Sequence, residues 1–116
     1  MITVSLPFPP SGHTLFKRQG GKSMSATYRA WRDEAGWLLK QQRPGSIIGR
    51  VDLVVELVAP DSRARDADNY NKAPIDLLVA HGVIEADDRR IVREITTRWI
   101  DGVAGTCIVT IQKAAA

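Results

Sequence analysis

The segment "GRVDLVVELVAP" constrains the fold more than any other part of this 116-residue chain. Every second residue from 51 to 57 is Val or Leu, whereas positions 52 and 56, on the opposite face of an extended chain, are acidic. This alternation predicts a β-strand that is buried on one side and ends before Pro60. The chain must therefore build a sheet and cover its apolar face.

The flanking segments supply the partners of this strand. "MITVSLPF" alternates as a second strand, and the pattern from about Ser25 to Gln42 predicts a helix with Ser25 as its N-cap. A shorter helix is predicted from about 68–71 to 80; Pro74 places its regular part nearer residue 71 or kinks its first turn. "REITTRWI" and "TCIVTIQK" flank "DGVAG" and predict a hairpin. We expect one domain, residues 1–116, of the α/β (α+β) class, with a small mixed sheet of about four to five strands and two main helices.

Composition limits the kind of protein. The chain is 44% hydrophobic and 25% charged, as expected of a soluble globular domain. No apolar run approaches the roughly 18 residues of a membrane span, and the N-terminus lacks the basic and apolar regions of a signal peptide. The one cysteine, Cys107, lies in an apolar alternation and is expected to be buried. These features predict a cytoplasmic protein with no membrane partner.

The charges are unevenly distributed. Residues 1–65 hold ten Lys/Arg and five Asp/Glu, whereas residues 66–116 hold six Lys/Arg and eight Asp/Glu. Basic residues neutralise phosphates, and clustered acids bind divalent cations, so the distribution suits an enzyme that acts on a polyanion. A basic balance alone does not establish a nucleic-acid partner.

The segment "RARDADNYNKAPID" contains the candidate chemistry. Asp66 and Asp68 point the same way if the chain is extended, and Asp68, Lys72 and Asp76 share one face if a helix includes all three. Mg²⁺ favours one or two carboxylates together with substrate phosphate oxygens, and Lys72 could offset charge on a phosphate. An ordinary capping Asp with an Asp–Lys pair explains Asp68 and Lys72 equally well.

The surrounding residues favour the metal hypothesis. A second pair, Asp87 and Asp88, follows the short helix, and a turn could return it to the first pair, although it could also cap the next element. Arg63 and Arg65 lie just upstream, where they could contact backbone phosphates. The basic loop after the first strand adds further candidate DNA contacts: His13, Phe16, Lys17 and Arg18.

"RARDADNYNKAPIDLL", followed by "HGVIEADDRRIV", resembles the RusA family of Holliday-junction resolvases, and "PFPPSG" resembles the N-terminal loop of that family. The resemblance extends over essentially the whole chain. It implies that Asp66, Asp68 and Asp88 bind the metal and that Lys72 is the catalytic lysine. It implies supporting roles for three further residues: Asn69, Asp76 and Asp87.

The resemblance also implies a function. The expected activity is Mg²⁺-dependent endonucleolytic resolution of four-way DNA junctions by paired cuts, in recombination or repair, with Mn²⁺ able to replace Mg²⁺. A homodimer with one site per subunit would match the two-fold symmetry of the junction. The source would be bacterial or phage-encoded. Two alternatives are a module that binds branched DNA without cutting it and a basic interaction protein whose acids are only caps and surface charges.

Overall fold

The computed structural model describes residues 1–17 and 23–115. Six main elements follow one another along the chain: β1 (Ile2–Pro7), α1 (Ala26–Gln42), β2 (Val51–Val58), α2 (Lys72–Ala80), β3 (Val92–Trp99) and β4 (Thr106–Lys113). Short 3₁₀ turns at Gly12–Thr14 and Ala67–Tyr70 precede α1 and α2. Four strands and two helices form a small α+β fold, which confirms the predicted fold class.

The sheet is mixed and has the strand order β1-β4-β2-β3. β4 pairs antiparallel with both β1 and β2, whereas β2 pairs in parallel with β3. A parallel pair requires a crossover connection, and the segment that contains α2 supplies it. The acidic residues therefore lie in the connection between the two parallel strands.

One face of the sheet forms the core. The strand register places Val4 opposite Val109, and Val109 opposite Val55, so the apolar sets of three strands lie side by side. All three of these residues are buried in the main hydrophobic cluster, where residues of both helices join them. The period-2 pattern of β2 thus predicted both the strand and its buried face.

The predicted hairpin between the last two strands is wrong. Both strands form, but β2 lies between them. The connecting segment 100–105 crosses the end of β2, because Ile100 N–H donates to Leu57 O at 2.9 Å and Gly105 N–H donates to Val58 O at 3.1 Å. A local turn pattern carries no information about which strand will lie beside which, and the apolar β2 is stabilised by having a partner on each side.

The helices begin where their sequences indicate. Ser25 Oγ accepts a hydrogen bond from Tyr28 N–H at 3.1 Å, which confirms Ser25 as the N-cap of α1. Pro74 is the third residue of α2, in the first turn, where a helix needs no backbone donor. The regular part of α2 therefore begins at Lys72, close to the predicted position, and the helix does not include Asp68.

Two further side chains of the core are Trp31 and Cys107. Trp31 is buried in the core, and its Nε1–H donates to Pro7 O at 3.0 Å. Cys107 is buried on β4, and burial raises the pKa of its thiol to about 12, as expected for a small apolar side chain. Among the described residues, no helix is long and apolar enough to cross a membrane.

Candidate active site

We call the 3₁₀ turn Ala67–Tyr70, together with the preceding Asp66, the acidic turn. It lies between β2 and α2, and aromatic packing holds it in place. Tyr70 is buried at the end of the 3₁₀ turn, with its ring centroid 5.0 Å from that of Phe8 and 6.1 Å from that of Trp99. Thr97 Oγ1 on β3 donates a hydrogen bond to Asn71 Oδ1. These contacts fix the turn on the sheet and leave its polar residues facing outward.

Asp66 and Asp68 both lie exposed on this turn. Asp66 is extended (φ −93°, ψ 127°), and its carbonyl, rather than its carboxylate, accepts the bond from Asn69 N–H. None of the ion pairs among the described residues includes either carboxylate. Both side chains are therefore accessible to a ligand from solvent.

A second group of charged residues lies beside the turn and consists of Lys72, Asp76 and Asp87. Lys72 Nζ lies 3.3 Å from Asp76 Oδ2, and the lysine side chain is 55% exposed. Burial raises the pKa of the Asp76 carboxyl; Lys72 opposes this rise, and Asp87 adds to it. The segment after α2 therefore brings Asp87 close to Asp76.

The carboxylate of Asp88 is paired with Arg90, two residues farther along the chain. Arg90 Nε donates to Asp88 Oδ1 at 2.9 Å, and Arg90 Nη2 donates to Oδ2 at 2.7 Å. The backbone N–H of Arg90 donates to Oδ1 as well, at 2.9 Å. These bonds lower the pKa of Asp88 to about 2. The carboxylate is ionised at neutral pH, but both of its oxygens are engaged.

The donor types suit a hard divalent cation, but the three predicted ligands are not gathered. Within residues 1–17 and 23–115, no group of three or more Asp, Glu, His or Cys side chains is arranged to hold a metal ion. Asp66 and Asp68 fit Mg²⁺ by chemistry and exposure, since Mg²⁺ often takes only one or two protein carboxylates. Asp88 Oδ2 accepts only one of the bonds from Arg90 and so keeps a lone pair for a cation.

The two upstream arginines differ in their availability. Arg65 donates to both oxygens of Asp61, at 2.6 and 3.1 Å, and its guanidinium lies 5.7 Å from the Phe8 ring centroid. Its side chain is only 11% exposed, whereas that of Arg63 is 78% exposed. Sequence reasoning overlooked Asp61, although its spacing four residues before Arg65 is typical of an ion pair.

The "PPSG" loop packs beside the acidic turn. A Cβ on Gly12 would lie 3.5 Å from Asn69 O, so the loop and the turn are in contact. Between them lies a groove of about 280 Å³, lined by Phe8, Pro9, Pro10, Ser11, Thr14, Thr27, Arg63, Arg65 and Tyr70. Farther along the loop, His13 and Lys17 are exposed, and Phe16 is 38% exposed. Arg18 lies outside the described residues.

A mixed sheet that carries exposed acids, an exposed lysine and a cationic groove has the features of a phosphodiesterase domain. The family model of endodeoxyribonuclease RusA matches residues 7–112. The chain belongs to this family.

Relatives with an assigned activity support the assignment. The crossover junction endodeoxyribonuclease RusA of Escherichia coli is 32% identical over 92 residues, which is 78% of this chain and 76% of the relative. The protein of the same name from Enterobacteria phage 82 is 33% identical over 95 residues, which is 77% of this chain and 75% of the relative. The matched residues 7–112 include both the acidic turn and the Asp87–Asp88 pair.

Proposed function

We propose that this protein is an endodeoxyribonuclease that resolves four-way DNA junctions by paired strand cuts in the presence of Mg²⁺. Membership of the RusA family over residues 7–112 carries the proposal, and the matched region contains the four residues to which we assign the chemistry: Asp66, Asp68, Lys72 and Asp88. The matched relatives are named for action on crossover junctions. A bacterial or phage-encoded protein acting in the cytoplasm is consistent with the sources of these relatives.

Asp66, Asp68 and Asp88 would hold the metal ion, and Mn²⁺ could replace Mg²⁺. The bound ion would supply charge neutralisation at the scissile phosphate and a lowered pKa for the attacking water. Asp66 and Asp68 are accessible without rearrangement. Asp88 would bind the cation through the remaining lone pair of Oδ2.

Lys72 would stabilise the negative charge that develops on the phosphoryl oxygens. Its ammonium group is more than half exposed and has Asp76 as its partner. We assign supporting roles to Asp76, which pairs with Lys72, to Asp87, which lies close to Asp76, and to Asn69 in the acidic turn.

The DNA backbone would lie along the groove between the "PPSG" loop and the acidic turn. Both arginines pair with Asp61, Arg63 at 3.4 Å and Arg65 at 2.6 Å, but Arg63 is the more available phosphate contact because its side chain is exposed and that of Arg65 is nearly buried. The exposed loop residues His13, Phe16 and Lys17 would extend the contact, with Phe16 positioned to stack on a base. Arg18 is assigned the same role from its sequence position alone.

A homodimer would complete the enzyme. Resolution requires two cuts in opposed strands, and two identical subunits related by a two-fold axis provide two identical sites.

One observation favours a second function. Asp88 is paired with Arg90, and the described residues contain no group of three metal-ligating side chains. A protein fixed in this arrangement would bind branched DNA without cutting it.

A synthetic four-way junction distinguishes the two functions. With Mg²⁺ we expect paired nicks, and with EDTA we expect a shifted complex and no nicks. Asp68→Asn should still bind the junction but lose cleavage by at least about a hundredfold, because one metal-binding carboxylate is removed. The matched control is Asp101→Asn, which removes an exposed carboxylate from the segment between β3 and β4. Undiminished cutting by Asp68→Asn would exclude the metal site, and binding without nicks by the wild type would favour the second function.

A further inference from the structure

A groove runs along the outer side of α1. It lies beside the C-terminal end of α2, whereas Lys72 is at the N-terminal end of that helix. We call it the α1 groove; it has a volume of about 310 Å³ and is lined by Arg32, Asp33, Gly36, Trp37, Lys40 and His81. Past Lys40 and His81 it adjoins a second hollow of about 260 Å³, which Pro44, Gly45, Ser46 and Val83 help to line. None of these residues belongs to the proposed active site.

The absence of a side chain at residue 36 shapes the α1 groove. A Cβ on Gly36 would lie 2.9 Å from His81 Nε2 and 3.2 Å from its Cε1. The imidazole at the C-terminal end of α2 therefore sits directly against the backbone of α1. This close approach forms the floor of the groove between the two helices.

The groove carries positive charge. Arg32 and Lys40 lie close enough to His81 to lower its pKa, adding to the larger effect of its burial. Arg32 is fixed in place, because its Nη1 donates to Tyr28 Oη at 3.3 Å and its guanidinium lies 5.6 Å from the Tyr28 ring centroid. The ion pairs among the described residues include neither Arg32 nor Lys40. Asp33 is the one acid in the lining, so the groove suits an anionic ligand.

Trp37 gives the groove an aromatic wall. It is 62% exposed on α1, in contrast to Trp31 of the same helix, which is buried in the core. An exposed indole beside cationic side chains is the arrangement with which proteins bind unpaired nucleotides: the ring stacks on a base, and the cations contact phosphates. In duplex DNA the bases are already stacked on one another and cannot be reached in this way.

We propose that the α1 groove binds a single-stranded segment of DNA, with Trp37 stacked on a base and Arg32 and Lys40 in contact with phosphates. The choice of DNA over another polyanion rests on the proposed function. The site itself is separate from the active site, because the nine residues of α2 place the groove about 13 Å along the helix axis from Lys72. The groove would hold a strand opened near the junction while the active site holds the strand to be cut.

Binding of fluorescein-labelled octathymidylate to the full chain tests this proposal. Fluorescence anisotropy in EDTA measures the affinity without cleavage. We expect Trp37→Ala to lower the affinity by about tenfold or more and Trp37→Phe to retain most of it, since Phe also stacks. Lys40→Gln should reduce the slope of log K against log salt by about 0.7, the value for one phosphate contact in a single strand. Lys113→Gln removes the same charge at the end of β4 and should leave the slope unchanged.

Two results would overturn the proposal. In the first, Trp37→Ala and Lys40→Gln bind octathymidylate as the wild type does. In the second, an oligoglutamate peptide binds as tightly as octathymidylate, which would make the groove a site for an acidic protein. Circular dichroism melts of each variant check that the fold is retained, and Lys40→Gln supplies a second disrupting variant if Trp37→Ala does not fold.

The test separates this proposal from the proposed function. Asp101→Asn and Lys113→Gln should bind octathymidylate like the wild type, because both residues lie outside the α1 groove and outside the proposed active site. Failure of the wild type to cut junctions with Mg²⁺ would refute the nuclease and leave the groove measurement valid. Junction cleavage together with single-strand binding that does not depend on Trp37 would refute only the groove.

Discussion

Gly36→Ala is the substitution that most directly probes how α1 packs against the end of α2. Alanine in a helix interior is favoured over glycine by about 1 kcal/mol. The new Cβ, however, would lie 2.9 Å from His81 Nε2, whereas favourable contacts between carbon atoms begin near about 3.5 Å. The imidazole must therefore move away from α1 by about half an ångström, and this shift gives up part of its present packing.

We expect this displacement to cancel at least half of the helical gain. In the wild-type background, Gly36→Ala should raise the free energy of unfolding by less than about 0.5 kcal/mol, or lower it. In a His81→Ala background the obstacle is absent, and the same substitution should give the full gain of about 1 kcal/mol. The coupling energy between the two sites should then be at least about 0.5 kcal/mol, as is usual for residues in contact.

Urea unfolding of the four proteins, followed by tryptophan fluorescence, measures this coupling. A difference of 1 kcal/mol should also appear as a shift in Tm of about 4 °C for a domain of this size. Gly102→Ala serves as the control, because its Cβ would meet Val58 at 3.2 Å, and its effect should be independent of His81. Equal effects of Gly36→Ala in both backgrounds would refute the close packing of His81 on α1.

Three further predictions concern other parts of the fold. Ser25→Ala removes the N-cap of α1 and should lower the free energy of unfolding by about 1 kcal/mol in urea titrations; no change would mean that the cap is dispensable. Arg93 holds the pKa of Asp52 below its usual range, so the pair stabilises the fold above the unfolded-state pKa of about 3.9 and loses this effect as the pH falls through the folded-state pKa. Asp52→Asn should therefore be less stable than the wild type at pH 7, with the difference disappearing in acid; a constant difference would contradict the ion pair. Cys107 should resist a thiol reagent at pH 8 until the protein unfolds, because its thiol is buried with a raised pKa; rapid labelling of the native protein would show that the core opens.

The acidic turn shows how sequence spacing can mislead locally. The spacing would put Asp68, Lys72 and Asp76 on one face only if a helix included all three, but α2 begins at Lys72, so only Lys72 and Asp76 pair. The cause lies in the buried Tyr70, whose packing on Phe8 and Trp99 fixes the turn on the sheet. No pattern within the segment identifies those two partners, because they come from the two ends of the chain.

The ion pairs show the same limit. Asp88 pairs with Arg90, two residues away, although Arg89 is its direct neighbour in the sequence. The near burial of Arg65 depends on Phe8, which lies far away in sequence. Short-range charge patterns predict which residues carry chemistry, whereas their pairing depends on distances that only the folded chain defines.

The sequence by itself determined the elements, the buried faces of β1, β2 and β4, and the family motif. These follow from periodicities of two and about 3.6 residues and from local capping, which are properties of neighbouring residues. Only the tertiary structure decided that β2 separates β3 from β4, that Arg90 holds Asp88, and that His81 meets Gly36 beneath an exposed Trp37. Each of these outcomes joins surfaces from different elements, and the free energy of burying them depends on the whole core rather than on any single segment.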